Sequence, residues 1–552
     1  MSADRPPRRR RLRTILAAAV AALTLAACGA EGPGEAAGAD GTIDQLVVTT
    51  SSQTLDFAAD TGVNGGINKA EVLVNTHGYL LQNANVPLES DPTAYRQDVF
   101  TFEGQLAESW EVSDDGLTYT FTLRDGILSH AGNELTADDV LWSYERKFAT
   151  PTSTAISVLA DIVTDPAEQF AKVDDRTFTI TIPKASYGFD LLSILANSTA
   201  QIYDSTLLKQ HATPEDPYAV TWSATNPQHG FGPYMVESVT PNEETVLVAN
   251  PNWTLSELAV QRIVYRIVQD PATRANSVLL GDADIAEQLR PSDQQALAAS
   301  EDVKLYTVDS NEMAIMPMVV NKAPFDNVLV RQAMAHAIPY DRIISDVYGG
   351  RATRRHSMLP ENQPGYDGSG LSSYDHDPQR ARELLAEAGH PDGVTFTLTI
   401  AAGIPDIEDT AVQIQTAAAE AGFTVEIETL PSPAFAEARA NGTMQAFLQR
   451  DYSVVMAPLY QLSVWTQPDS RINWAKWEDP DYYAALDAAT EIADPLSDEA
   501  GVRWNAAERV LTEQLPWVFV TGLQPSQAFS SSIAGYGWRS DNILSFRLME
   551  PA

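Results

Sequence analysis

The clearest order in the chain is the alternation of apolar and polar side chains. Leu117, Tyr119, Phe121 and Leu123 are separated by Thr118, Thr120 and Thr122. Phe178, Ile180 and Ile182 repeat the pattern, as do Val394, Phe396, Leu398 and Ile400. A period of two buries one set of side chains and leaves the threonines on an open face, so these segments are predicted strands. A different period governs "VRQAMAHAIPYDRI", where Val330, Ala333, Met334, Ala337 and Ile338 stand at i, i+3, i+4, i+7 and i+8, one face of a helix. In "DPQRARELLAEAG", Asp377 is placed to cap and Pro378 suits the first turn. Ala381, Leu384, Leu385 and Ala388 form the apolar face, and Gly389 ends it. Strands and helices mix throughout, which predicts an α/β or α+β class with several domains.

The first residues are patterned otherwise. Arg5, Arg8, Arg9, Arg10, Arg11 and Arg13 precede an apolar, alanine-rich run of 13 residues from Ile15 to Ala27. This is the layout of a secretion signal, and the run is short of the ~20 residues that span a bilayer. The pair Arg9-Arg10 is a weak twin-arginine hint, so the export route stays open. Leu25-Ala26-Ala27-Cys28 ends the run at the only cysteine of the chain. That ending resembles the lipobox of bacterial lipoproteins, which implies cleavage before Cys28 and acylation there. Two or three acyl chains hold a protein durably at a membrane where one does not. Gly29 to Gly41 are Gly, Ala, Glu, Pro and Asp with nothing to bury, and are expected to form a tether.

Charge narrows the partners. The chain has 36 Lys+Arg against 74 Asp+Glu, a formal net charge of -38. Residues 1 to 27 hold six arginines and Asp4, a net +5, so the part from Cys28 onward carries -43. Such a surface repels nucleic acid and anionic head groups. A single cysteine excludes intramolecular disulfides and cysteine zinc clusters, so stability must come from burial.

From Leu106 the chain reads "LAESWEVSDDGLTYTFTLRDGILSHAGNELTADDVLWSYERKF". It holds a tryptophan on one strand, hairpin turns at Asp115-Gly116 and Asp125-Gly126, and a helix capped near Thr136. As a whole it resembles the signature of the extracellular solute-binding proteins of family 5, the peptide, nickel and oligosaccharide receptors of ABC importers. Further landmarks follow in that family's order: "GFGPYMVESV" at 230, "VLVANPNW" at 246, "SVLLGDADIAE" at 277, "VVNKAPFDNVLVRQAMAHAIPYDRII" at 319, "YDHDPQRARELLAEAG" at 374 and "WEDPDYYAALDAAT" at 477. Two scaffold segments depart from it, Ser129-His130-Ala131-Gly132 and Ala337-Ile338-Pro339-Tyr340.

The resemblance implies an α/β fold of the periplasmic-binding-protein-like type II (cluster C): two lobes with a hinge plus an extra inserted subdomain. Residues 43–78, 196–304 and 515–552 would form the first lobe, 79–195 the inserted subdomain and 305–514 the second lobe, after a signal peptide over 1–27 and a tether over 28–42. Hinge closure would enclose a small solute, peptide or oligosaccharide, for delivery to an ABC permease and its ATPase. The protein would be extracytoplasmic, a monomer lipid-anchored through Cys28, with no catalytic residue, no cofactor and no resident metal.

For peptide binders of the family, an aspartate shortly before an Asp-Pro or Glu-Pro step pairs with the peptide ammonium. The matching stretch is "QRDYSVVMAPLYQL", with Val454 where that aspartate would sit and Ala457 in place of the acid before Pro458. The nearest carboxylate is Asp451. An enclosed ammonium without a counter-charge is costly, so either Asp451 substitutes or the solute is not an ordinary peptide. Arg450 equally suits a carboxylate or phosphate. Trp465 and Trp474, with Tyr452 nearby, either stack on solute rings or fill the core. Thr61 and Gly62, in "FAADTGVN", match a region that touches ligand in relatives and also read as an ordinary turn. No His-Glu-x-x-His, Gly-x-Ser-x-Gly or phosphate-loop motif occurs. The competing readings are a secreted lipoprotein hydrolase with an unmarked site, and a binding protein that senses rather than transports.

Overall fold

In the computed structural model, which describes residues 41–61, 66–150, 153, 162–468, 470 and 472–552, the alternating segments are strands. Thr118–Leu123 buries Tyr119, Phe121 and Leu123 and leaves its threonines half-buried. It pairs antiparallel with Ala107–Val112 and with Thr177–Thr181, and Phe170–Lys172 completes a four-stranded sheet. Both Asp-Gly turns need a left-handed residue, and Gly116 and Gly126 supply it at φ 73° and 68°. The helix Ala137–Ala149 follows, opened by a capping box between Thr136 and Asp139. The two periodic helices are Val328–Ala337 and Pro378–Glu387, and Asp377 caps the latter by accepting from the Arg380 amide at 2.9 Å.

Two larger sheets organise the rest. In the seven-stranded sheet the order is Val303–Thr307, Ser526–Ser530, Ile285–Ala286, Leu46–Thr50, Arg262–Ile267, Glu244–Ala249, Tyr234–Thr240. In the six-stranded sheet it is Ala352–Thr353, Trp517–Leu523, Met313–Pro317, Ala446–Asp451, Val394–Ala401, Phe423–Leu430. Val394–Ala401 lies parallel to both its neighbours and is buried at six of its eight positions, as parallel strands usually are. Each sheet has its own apolar core, and a further core joins the four-stranded sheet to the helices Pro480–Ala489 and Asp498–Gln514.

The chain passes between the large sheets twice. It leaves the seven-stranded sheet after Thr307 and enters the six-stranded one at Met313; it returns between Leu523 and Ser526. Trp517–Leu523, grouped by the sequence reading with 515–552, hydrogen-bonds to Met313–Pro317 in the six-stranded sheet. All seven of its residues are buried, as a central strand requires, so the return crossing falls at Gln524 and Pro525. Among the described residues no helix is long and apolar enough to cross a membrane.

Candidate functional site

Two cavities flank these crossings, one of about 170 Å³ and one of about 330 Å³. The smaller is walled by Glu312, Tyr348, Arg351, Arg450 and Tyr452 from the six-stranded side, and by Gln288, Tyr536, Arg539 and Asp541 from the other. The larger takes Arg354, Arg355, His356, Glu361 and Met456 from one side and Arg96, Asp98 and Phe100 from the other, with Asp309 to Asn311 at the crossing.

In the smaller cavity, two of the three arginines are matched by carboxylates. Arg450 grips Asp406 with both prongs, Nε to Oδ2 at 2.9 Å and Nη2 to Oδ1 at 2.6 Å, and its Nη1 stands 3.7 Å from Glu312. Tyr348 donates to the same Asp406 at 3.0 Å. Burial works against the charge of Arg450, but the Asp406 and Glu312 carboxylates outweigh it and hold its pKa above the ordinary arginine value. Arg539 makes a second fork on Asp541, at 3.0 and 2.7 Å. In the larger cavity the guanidinium of Arg354 stacks on Tyr340 at 3.4 Å and that of Arg355 donates to the carbonyls of Ser357 and Met358. Burial brings Arg355 down to about 10 and lowers His356, which therefore stands neutral at pH 7.

Side-chain amides and Arg351 tie the two sides together. Asn311 Nδ2 donates to the carbonyls of Ser453 and Ser540, on opposite sides of the cleft. Asn197 Nδ2 donates to the Val454 carbonyl, and Arg351 Nη2 to the Pro291 carbonyl at 2.9 Å. Because two carbonyl oxygens face Asn311, its amide nitrogen must be the end that points at them.

The residues singled out in the sequence separate by strand parity. Arg450 and Tyr452 reach the smaller cavity, and Asp451 points to the opposite face, near Trp465 and Tyr460. The Asp451 carboxylate accepts from Gln449 Nε2 and the Tyr452 amide, both at 2.9 Å, and burial pushes its pKa up to about 7. Among the described residues it makes no ion pair. Arg439, which favours its ionisation, bonds Gln449 Oε1 at 2.7 Å and lies 4.2 Å from the Trp474 ring. Trp465 is 4% exposed and packs in the core that joins the four-stranded sheet to the late helices. Val454 lines a narrow cleft with Asn197 and Asp541. The Thr61 hydroxyl is spent on Asp56, the Ala58 carbonyl at 2.8 Å and Lys69 at 2.7 Å, away from both cavities. Gly62 and Cys28 lie outside the described residues. Among the described residues no three His, Cys, Asp or Glu are grouped to hold a metal ion.

Sequence reasoning missed Arg351, Arg354, Arg355, Trp538, Arg539 and Asp541. A cluster of three arginines in "RATRR" within so acidic a chain was the available signal.

Residues 101–473 match the family of bacterial extracellular solute-binding proteins, family 5 Middle. The chain belongs to that family. Heme-binding protein A of Haemophilus influenzae is 26% identical over 95% of this chain and 96% of its own length. The probable D,D-dipeptide-binding periplasmic protein DdpA of Escherichia coli is 28% identical over 79% of this chain and 82% of its own. Among solved structures, DppA of Helicobacter pylori in complex with the peptide STSA superposes with a TM-score of 0.77 at 21% identity, over 93% of this chain and 98% of that one. NikA of Brucella suis with Fe(III)-EDTA gives 0.77 at 18%, over 92% and 100%. These structures share the two-lobed periplasmic-binding-protein fold, and family 5 membership makes the chain an extracytoplasmic solute-binding protein.

Proposed function

We propose that the protein captures a short peptide, or an organic solute of like size and charge, between its two large sheets and delivers it to an ABC permease. The observation that carries this reading is the convergence of arginines and carboxylates from both sides of the cleft on the crossing segments, Arg450 and Glu312 from one and Arg539 and Asp541 from the other. A site walled from both sides is completed only on closure, so a solute that touches both walls favours the closed form by its differential contacts. Relatives whose names specify dipeptides support a peptide. Glu312, which walls the smaller cavity 3.7 Å from Arg450, is the candidate partner for its ammonium, whereas Asp451 points to the opposite face of its strand. The sugar reading is weakened because Arg439 covers Trp474 and Trp465 is buried. Acylation at Cys28 is part of the proposal and would hold the receptor beside its permease.

A thermal-shift screen against pooled peptides, oligosaccharides and metal chelates tests the reading, since a ligand of the folded state stabilises by about 2.7 kcal/mol at a hundredfold excess over Kd. A peptide shift that disappears in Glu312→Gln and survives in Asp451→Asn is the expected result; a shift with sugars alone would retire the peptide. Glu312 must be ionised to meet an ammonium and burial raises its pKa, so peptide affinity should rise with pH through that raised value and then level off. Cys28→Ser should release the protein from the membrane fraction.

A further inference from the structure

Leu523, Gln524 and Trp538 wall both cavities. The segment around Trp538 forms a rib between them. Its flanks Tyr536 and Arg539 face the smaller cavity, while the strand Tyr95–Gly104, which pairs with it in parallel at Gly537↔Tyr95 and Trp538↔Arg96, faces the larger. The opposing wall is the return crossing, held by Leu523 N–H to the Glu312 carbonyl at 2.8 Å and Gln524 N–H to the Arg351 carbonyl at 3.3 Å. The indole is fixed in place. Its Nε1–H donates to Asn542 Oδ1 at 3.0 Å, and only 7% of the residue is exposed. Asn542 sits at φ 55°, a left-handed position that asparagine tolerates, so the turn itself aims the acceptor at the indole.

We propose that Trp538 is the size-determining residue of the cleft: its indole, set against the crossing at Leu523 and Gln524, keeps two compartments apart and confines the solute to a short one. This rests on solute capture in the same cleft. Removing the indole joins the compartments along the cleft axis and admits longer solutes, whereas a ring of intermediate size admits them in part. The wall is rigid, so the limit is one of length and not of charge.

The test uses the full-length protein in detergent, Trp538→Ala and Trp538→Phe, titrated by calorimetry with dialanine, trialanine and pentaalanine, and with the dye anilinonaphthalene sulfonate. The unaltered protein is expected to prefer trialanine over pentaalanine by about ten-fold or more. Trp538→Ala should lose most of that preference and Trp538→Phe a part of it. A preference unchanged in Trp538→Ala overturns the proposal. If no peptide binds any form, the peptide reading fails by itself and the dye decides: one dye per chain gained by Trp538→Ala, with near-ultraviolet dichroism retained, supports the compartment wall, and no gain overturns it. Should Trp538→Ala not fold, Asn542→Ala frees the indole without removing it. A preference and dye binding both unchanged in Asn542→Ala would then overturn the proposal, and a narrowed preference or a gained dye would support it.

Discussion

Glu508 shows what burial does to a single carboxyl in this molecule. Its Oε1 accepts from the Leu359 amide at 2.9 Å, its other oxygen is buried without a hydrogen-bond partner, and burial lifts its pKa to about 7. A carboxyl raised in the folded state stabilises below its unfolded pKa and loses that stabilisation as pH rises through the folded one. Glu508→Gln keeps the acceptor and cannot ionise. Relative to the native protein it should therefore gain up to about 3 kcal/mol between pH 4.5 and pH 8, read from urea unfolding at both pH values. At this scale the sequence was least informative. Arg450 was visible as a cation, but Asp406, which occupies its fork, stands 44 residues away and carries no local mark. Asp451 and Arg450 are neighbours in sequence and face opposite ways, because a strand turns successive side chains to opposite faces. Arg351 and Arg354 flank the two-residue strand Ala352–Thr353 and Trp538 ends the two-residue strand Gly537–Trp538, elements too short for a period to announce which side chain faces the cleft.

At the scale of elements, the periodic segments were legible and their packing partners were not. The strands at 118, 177 and 394 and the helices at 328 and 378 begin within two residues of where alternation and capping residues put them. The helix Pro458–Ser463 explains a departure noticed in sequence. Its N-cap is Ala457, which has no side-chain acceptor, and the Tyr460 amide is met by Asp190 Oδ1 at 3.3 Å from a helix 270 residues away. Capping across that distance links the helix Gly188–Leu195 to the loop that follows the cleft strand, beside the bonds of Ser186 and Lys184 to Thr490. Asp190→Ala should cost about 1 kcal/mol in urea unfolding, and Asp190→Asn, which keeps an acceptor, should cost little. Equal losses in the two variants would show that charge, and not the cap, is the contribution of Asp190.

For the whole molecule, two sheets joined by two short crossings constitute a hinge, and the amide of Asn311 bonds to both sides of it. Each of those bonds contributes about 1 kcal/mol. Asn311→Ala should therefore weaken solute binding by about ten-fold and raise the radius of gyration of the loaded protein toward that of the free one in small-angle scattering. Binding that weakens with no change in scattering would place Asn311 in solute contact and remove its role in closure. The family, its mixed class and its succession of landmarks were readable because they rest on local signals. The crossing at Gln524 was not, since a buried strand on either side of it reads the same.

The seven-stranded sheet also sets an order of events. Ser526–Ser530 lies between Val303–Thr307 and Ile285–Ala286, and Gly537–Trp538 pairs with the strand Tyr95–Gly104. The Phe546 amide donates to Asn75 across 471 residues, and the Ser540 amide to Gln97 across 443. A ribosome must therefore have read past residue 530 before the first lobe has its inner strand, and until then Ile285–Ala286 and Val303–Thr307 wait with an open edge on either side of the gap. Biosynthesis itself keeps the first lobe unfinished until nearly the whole chain has been made. Pulse-labelled chains should protect Ile285–Ala286 and Val303–Thr307 from proteolysis only after the strand at 526 has emerged.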